Sequence, residues 1–254
     1  MSVVSVVSMK GGVGKTSVTA NLATALSAKL GPHRVSAIDL DPQNALHWHF
    51  GLEDHEADGI CRTSLQGVNW NKVASGNKFD VTCLPYGNAS ESERAAFETL
   101  LSKEPLWVGE QVRKAGLDND KVVLIDTPPG ASVYLKQVFT CTDLVLIVLL
   151  ADAGSYATIP AMETWLDEMS TLHPKLKSAY ILNQVDRGDA FNRDVADLLQ
   201  ERLGARLAPI GIHGDEAVGE ALAFQQPVLS YDPYGQASHD FARLAAWMIA
   251  TLNR

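Results

Sequence analysis

The sequence predicts an α/β fold: three α/β/α layers around a mostly parallel, twisted sheet of about seven or eight strands. Three observations lead there. Short, near-continuous apolar runs alternate with helix-period segments from end to end. Apolar character on every residue of a run, rather than on alternate ones, is what a sheet covered on both faces requires. Hydrophobic residues make up 46% of the 254, enough for a core on each side of such a sheet. No internal repeat or low-complexity linker divides the chain, so residues 1–254 read as one domain.

The elements follow in order. Val3–Ser8, Val35–Leu40, Val81–Leu84, Val122–Asp126, Leu144–Leu150, Ala179–Val185 and Leu207–Ile210 read as buried strands. Amphipathic segments lie between them. Val18, Leu22, Ala25 and Leu26 mark one face of the first, and Ile159, Met162, Leu166 and Met169 one face of a later one. Phe191, Val195, Leu198 and Leu199 do the same before Gly204. Strand, helix, strand in succession gives right-handed crossovers and a parallel sheet. Residues 51–78 are irregular and read as short helices outside the sheet, while 86–117 read as a helical excursion broken at Pro105. Phe241, Leu244, Ala245, Met248 and Leu252 share a face of a final helix. With only Arg243 and Arg254 for its polar side, that helix reads as docked on the sheet rather than bound to a membrane.

The bulk properties narrow the class. A net charge of −9 argues against wholesale coating of nucleic acid or anionic membrane. Cys61, Cys83 and Cys141 lack any C-x-x-C spacing and read as reduced thiols with packing roles. The chain opens on a strand pattern rather than a signal peptide, and its longest apolar run, Leu144 to Ala151, is too short to span a bilayer. A cytoplasmic location follows. His47 and His49, two apart, diverge on a helix and do not read as a metal pair; the tryptophans Trp48, Trp70, Trp107, Trp165 and Trp247 read as packing residues. Lys175, Lys177, Arg202 and Arg206 read as solvated charges.

The chemistry centres on Met9-Lys10-Gly11-Gly12-Val13-Gly14-Lys15-Thr16, between the first strand and the first helix. A strand, a Gly-rich turn and a helix form a phosphate cradle, with backbone N–H groups pointing inward and the helix N-terminus adding partial positive charge. Lys15 can reach the β- and γ-phosphates of a nucleotide, and the Thr16 hydroxyl can sit on Mg²⁺. The common pattern G-x-x-x-x-G-K-[ST] fails at its first position, where Met9 stands, and a second lysine, Lys10, opens the loop instead. Asp39 and Asp41 follow the second strand in Asp39-Leu40-Asp41-Pro42-Gln43. Carboxylates at that strand end can hold Mg²⁺ through water or orient the water that attacks the γ-phosphate. Asp126, closing Val122-Val123-Leu124-Ile125-Asp126-Thr127-Pro128-Pro129-Gly130, suits an outer-sphere Mg²⁺ ligand, and Gly130 offers a backbone N–H for the γ-phosphate.

Together the loop, Asp39–Gln43, Asp126–Gly130 and the tail from Gln226-Pro227-Val228 to Asp240-Phe241 resemble the ParA/MinD-type P-loop ATPases over essentially the whole chain. Two further stretches resemble the cellulose-biosynthesis members, the BcsQ type. They are Leu182-Asn183-Gln184-Val185-Asp186 with Phe191–Val195, and Ile212-His213-Gly214-Asp215-Glu216-Ala217-Val218. The resemblance implies ATP and Mg²⁺ as ligands and Lys10, Gly11, Gly12, Val13, Gly14, Lys15, Thr16 and Ser17 as the loop that holds the nucleotide. It implies that Lys10 reaches the nucleotide of the partner in an ATP-dependent homodimer. It places Asp41 on the attacking water, Asp39 near the metal beside Thr16 and Asp126, Asn183 on adenine, and Pro209 on the other side of the base. It implies a slow ATPase switch that helps assemble, localise or regulate a cellulose synthase complex. Its partners would be synthase components or a small companion protein, and contact with the inner membrane would be indirect.

Other classes share the fold. A ParA-like partitioning ATPase would need a basic surface for DNA, which the charge disfavours. A septum-site regulator would need a membrane-binding tail. A ligase of the dethiobiotin-synthetase type has no use for Lys10, and an iron–sulfur reductase would need bridging cysteines that are not suitably placed.

Overall fold

Strand β1 (Ser2–Val7) sits inside a seven-stranded sheet whose order is β3-β4-β2-β5-β1-β6-β7. The other strands are β2 (Val35–Asp39), β3 (Ser75–Gly76), β4 (Val81–Leu84), β5 (Val122–Asp126), β6 (Leu144–Leu150) and β7 (Lys177–Asn183). The computed structural model describes residues 1–52, 58–117 and 122–253. All pairings are parallel except the two-residue β3, which runs antiparallel to β4. Alternate residues point to opposite faces of a strand, and here both faces are buried. Val4 and Val6 join a core with helix α1 (Lys15–Leu30), α8 (Glu216–Ala223), α9 (Val228–Tyr231) and α10 (Gln236–Leu252). Val3 and Val7 join a second core with α2 (Ile60–Leu65), α3 (Glu91–Lys103), α4 (Trp107–Lys114), α5 (Val133–Phe139), α6 (Ala153–Leu172) and α7 (Ala190–Leu203). The three layers are therefore helix, sheet, helix.

Six of the seven expected strands are present within two residues of their expected bounds. The seventh is not. Leu207–Ile210 makes only a single bridge, Leu207 to Tyr180, alongside β7. Ala208 N–H donates to Tyr180 O at 2.8 Å, but the next bond to β7 comes from Ile212 N–H to Leu182 O at 2.9 Å. A regular parallel ladder would use residue 210 there, so the segment slips by two residues. Pro209 lies within the break; its N position faces away from β7, and a proline there suits a sheet margin rather than a ladder interior.

The helix faces differ in one place. Val18, Leu22, Ala25 and Leu26 are all buried, as are Ile159 and Met162, with Leu166 and Met169 packed against the core. In α7, however, Val195, Leu199 and Leu203 form the buried stripe, while Phe191 (61%) and Leu198 (53%) are exposed. The i, i+4 spacing of the stripe leaves Leu198 on its flank and Phe191 in the first turn, beyond the sheet. The final helix docks against α1, burying Phe241, Leu244, Ala245 and Met248; Arg254, counted with its polar side, lies outside the described residues. The 86–117 excursion is α3 and α4 with Pro105 between them. Of the irregular 51–78 stretch, 53–57 lie outside the described residues and the remainder holds α2, a 3₁₀ turn at Trp70–Lys72 and β3. Trp70 is fully buried, but Trp48 is 37% exposed. Arg202 and Arg206 both reach Glu163 at 2.7 Å, a surface pairing rather than free solvation and one of little energetic weight.

Helix α1 is the pillar behind the Gly-rich loop, and Leu22 at its centre is fully buried. Leu22→Ala is expected to lower stability by about 2–5 kcal/mol. A shifted denaturation midpoint at constant m-value would register it; an unshifted midpoint would show that α1 is not fixed by this packing.

Candidate functional site

The parallel sheet puts the ends of β1, β2, β5 and β6 along one edge, so residues far apart in sequence converge around the loop after β1. Asp39 and Asp126 are direct neighbours in the β2–β5 register, and Val6 is the β1 neighbour of Asp126. Ligands in such sheets bind outside the carboxyl ends of the strands.

The loop itself is held in a strained path by its glycines. Gly12 and Gly14 have φ of +72° and +83°, a region other residues enter at a cost. A Cβ on Gly14 would lie 2.5 Å from the Asn183 side-chain amide. Ser8 Oγ donates to Lys10 O at 2.6 Å, and Asn183 Nδ2 donates to Val13 O at 2.9 Å. Gly14 is also the N-cap of α1, with no side chain capping the first turn and no acidic residue in it. The open N–H groups and the positive end of the helix dipole thus face the loop.

Lys15 is 6% exposed. Burial pushes its pKa down, and the carboxylates of Asp126 and Asp41 oppose that shift. A buried ammonium persists only where negative charge compensates it. Asp126 is wholly buried and accepts from Thr16 Oγ1 at 2.6 Å and Thr19 Oγ1 at 3.3 Å. Burial pushes its pKa up to about 6, against the bonds from Thr16 and the charge of Lys15. Thr16, Lys15 and Asp126 are therefore brought together as the sequence indicated. Asp41 is half-buried; one of its oxygens accepts from Gln43 N–H at 2.9 Å, and its charge reaches both Lys15 and Asp126.

At four of the expected positions the contacts within the chain are specific. Asp39 is turned to its own loop: one oxygen accepts from Asp41 N–H at 2.9 Å and the other from Leu46 N–H at 3.0 Å. Burial, then the nearby Asp126 charge, holds its pKa well above the usual carboxylate range. These two bonds shape the segment carrying Asp41, while the β2–β5 register keeps Asp39 beside Asp126. Gly130 N–H, expected to face a phosphate, donates to Ser8 O at 2.8 Å and pins the loop entrance. Asn183, expected on a base, has its amide N–H on the loop carbonyl of Val13. Pro209 is exposed and does not line the cavity beside the loop; that wall is made by Ile212, His213 and Gly214.

This cavity has a volume of about 550 Å³ and runs from Ser17 and Asn183 to Asp215 and Phe241. Gln184, which also lines it, has φ of +53°, a strained backbone of the kind that collects at binding sites.

Lys10 occupies a position its sequence spacing could not reveal. Its ammonium forms an ion pair and short hydrogen bond with Asp152, 142 residues on, which is the N-cap of α6. Asp152 Oδ1 also accepts from Ser155 N–H at 2.6 Å. Burial raises the Asp152 pKa, but the Lys10 and Ser155 bonds outweigh it and the net shift is downward. Gly154 gives Lys10 room, since a Cβ there would lie 3.3 Å from Lys10 Cε. Both side chains remain about one-third exposed, so the pair is accessible to exchange.

The model of the cellulose biosynthesis protein BcsQ family matches residues 1–249. The chain belongs to the BcsQ family. A putative cellulose biosynthesis protein BcsQ of Escherichia coli K12 is 31% identical over 248 residues, spanning 95% of this chain and 94% of that protein. The match extends past the BcsQ family to the chromosome partitioning protein ParA of Caulobacter vibrioides NA1000, 26% identical over 98% of this chain and 94% of that one. In three dimensions the chain is similar to the septum site-determining protein MinD of Pyrococcus horikoshii, in complex with Mg-ADP. The TM-score is 0.78 at 21% identity, over 97% of this chain and 95% of that one. The BcsQ family thus shares the fold of the ParA/MinD P-loop ATPases, the class the loop resembled.

Two outcomes test this geometry. Asp126 has a raised pKa in the folded protein, so its stabilising protonated form is complete below about pH 4 and is lost as pH rises through about 6. Relative to Asp126→Asn, the nucleotide-free wild type is expected to lose on the order of 2 kcal/mol between those limits. Thermal melts of both proteins across pH 4–7.5 check this, and a constant difference would contradict it. Gly14→Ala, strained by φ and by contact with Asn183, is expected to weaken nucleotide binding at least tenfold (about 1.4 kcal/mol); titration with a fluorescent nucleotide would measure it.

Proposed function

We propose that the chain is a nucleotide-switched ATPase that binds ATP with Mg²⁺ in the loop Lys10–Ser17, hydrolyses it slowly and dimerises while ATP is bound. The observation that carries this reading is the buried Lys15 ammonium, within the field of the Asp126 and Asp41 carboxylates, in a glycine loop with an uncapped helix behind it. Such an arrangement has no structural use for its open N–H groups; a polyphosphate satisfies them and the lysine together. The donor set fits a hard cation too, with the Thr16 hydroxyl and the Asp126 carboxylate 2.6 Å apart. When bound, Mg²⁺ supplies charge neutralisation across the phosphates.

The residues divide the work. Lys15 and the N–H groups of Gly11 to Thr16 bind and orient the phosphates. Asp126 holds the Thr16 hydroxyl in place. Asp41 orients the attacking water, and the bonds from Asp39 to Asp41 N–H and Leu46 N–H hold its loop at the right height. Lys10 leaves Asp152 and inserts at the partner's nucleotide when two copies meet across the phosphates, adding positive charge where negative charge develops. Gly130 N–H, pinned to Ser8 O here, is released when the loop takes up a γ-phosphate, which couples the nucleotide to the segment that begins α5.

Family membership supports cellulose synthase assembly or positioning as the process served, with synthase components or a small companion protein as partners. Among the described residues no helix is long and apolar enough to cross a membrane; recruitment to the membrane through partners from a cytoplasmic pool is part of this proposal. The ParA relative keeps a DNA-partitioning role as the second reading, against which the net charge of −9 stands.

Three variants of the full chain separate these roles. Lys15→Ala is expected to lose about a hundredfold in ATP affinity, because charge-assisted bonds to phosphate go unmade. Lys10→Ala should keep ATP affinity within about threefold but fail to dimerise with ATP in light scattering, since the missing charge acts across the interface. An ATP-loaded Lys10→Ala dimer as stable as wild type would remove Lys10 from this role. Asp41→Ala is expected to lower turnover by about a hundredfold or more and accumulate the ATP dimer. Affinity capture of that trapped variant from its native cells decides the process: cellulose synthase components support the reading, and chromosomal DNA favours partitioning.

A further inference from the structure

We propose that His213 reads the base of the bound nucleotide, accepting a hydrogen bond from a purine's exocyclic amine through Nε2, and that Asp240 is the positioning residue fixing the ring for it. The proposal rests on the reading that a nucleoside triphosphate binds at the loop, and it names the side chain that distinguishes an aminopurine from an oxopurine.

The polar side chains along the cavity are not equivalent. Asn183 spends its amide N–H on Val13 O. Asp186 accepts from Gly188 N–H at 2.8 Å, and Asp215 accepts from Ala217 N–H at 3.0 Å and Ala237 N–H at 3.1 Å. These carboxylates shape the backbone of the cavity wall. Gln184 is not anchored by any side-chain hydrogen bond among the described residues, so its amide can turn to suit either kind of base.

His213 is built differently. Its Nδ1 lies 2.7 Å from Asp240 Oδ2, and its backbone N–H donates to the same oxygen at 3.0 Å. Asp240 is 1% exposed on α10, and its other oxygen accepts from Gln236 Nε2 at 3.0 Å. A carboxylate accepts and does not donate, so Nδ1 carries the proton and Nε2 of the neutral ring is left as an acceptor. A buried carboxylate gripping both the backbone and the ring of one residue fixes the direction of that ring, as outer partners do for functional histidines elsewhere. The His213 side chain is 30% exposed and lines the cavity. An acceptor held there meets the amine at C6 of adenine favourably. It sets a lone pair against the carbonyl oxygen at C6 of guanine, and a site that leaves polar groups mismatched discriminates strongly.

The neighbouring segment explains why His213 can lie there. The two-residue slip after Ala208 brings Ile212 N–H to Leu182 O and Gly214 N–H to Val185 O at 3.0 Å, which carries His213 around the end of β7. Gly211 allows the approach, since its Cβ would lie 3.3 Å from Val185 Cγ2.

The test is the ratio of dissociation constants for ATP and GTP, each with Mg²⁺, measured on the full chain for wild type, His213→Ala, His213→Phe, Asp240→Ala and Asp240→Asn. Wild type is expected to prefer ATP. His213→Ala and His213→Phe should each cut that preference about tenfold, through loss of ATP affinity with little change for GTP. His213→Phe separates the acceptor from mere packing, because it keeps a flat ring against the base. Asp240→Ala should erode the ratio as the histidine variants do. Asp240→Asn should preserve it, because its amide oxygen can keep His213 while Gln236 turns to meet its amide nitrogen. An ATP to GTP ratio unchanged in both histidine variants, or equal binding of the two nucleotides by wild type, overturns the proposal. Wild type binding neither nucleotide would instead overturn the phosphate-site reading beneath it.

Discussion

A lysine ammonium can be taken out of water only if negative charge goes with it, and Lys15 is almost wholly out of water. That constraint organises this end of the molecule. Asp126 and Asp41 supply the compensating charge. Asp126 must then stand at the end of a buried strand adjacent to β1, which the β1–β5 register provides. Asp39, beside Asp126 across β2–β5, cannot also turn a naked carboxylate toward the same point without repulsion. Its two oxygens are satisfied by N–H groups of its own loop instead.

The sheet was legible in the sequence because burial on both faces imposes an apolar residue at nearly every strand position, and six runs carry that signature with few polar breaks such as Ser5, Ser36 and Thr82. Leu207–Ile210 has the same composition but contains Pro209, and composition alone does not weigh one missing donor against four apolar side chains. Phe191 and Leu198 failed for a related reason: helix periodicity tells which residues share a face, not where the neighbouring layer ends. The two-residue β3 carries no periodic signal at all.

At the site, legibility followed sequence distance. Lys15, Thr16 and the glycines form one continuous loop, and Asp126 closes a recognisable strand, so local pattern places them. The contacts that decide what else the loop does join residues 140 or more apart: Lys10 with Asp152, and Asn183 with Val13. No spacing rule couples such pairs, although Asp152 three residues before Ser155 does announce a helix cap. His213 and Asp240 are only 27 residues apart, yet no local pattern couples them either. The sign of His213 in the sequence was a polar residue just past an apolar run, which becomes meaningful only once β7 and α10 are seen to bracket it.

The slip at Pro209 has a consequence beyond the shape of the site. An exposed strand offers a row of unpaired donors and acceptors to any other chain, and proteins close that row off. Beside β7 the sheet finishes on a segment that pairs irregularly and lacks one donor, and at the opposite margin it finishes on the two residues of β3. Neither margin among the described residues presents a long, regular row of donors and acceptors. In the proposed ATP dimer the contacts between copies would then fall to side chains and loops, which nucleotide chemistry can rearrange, rather than to continuous backbone pairing, which it could not undo.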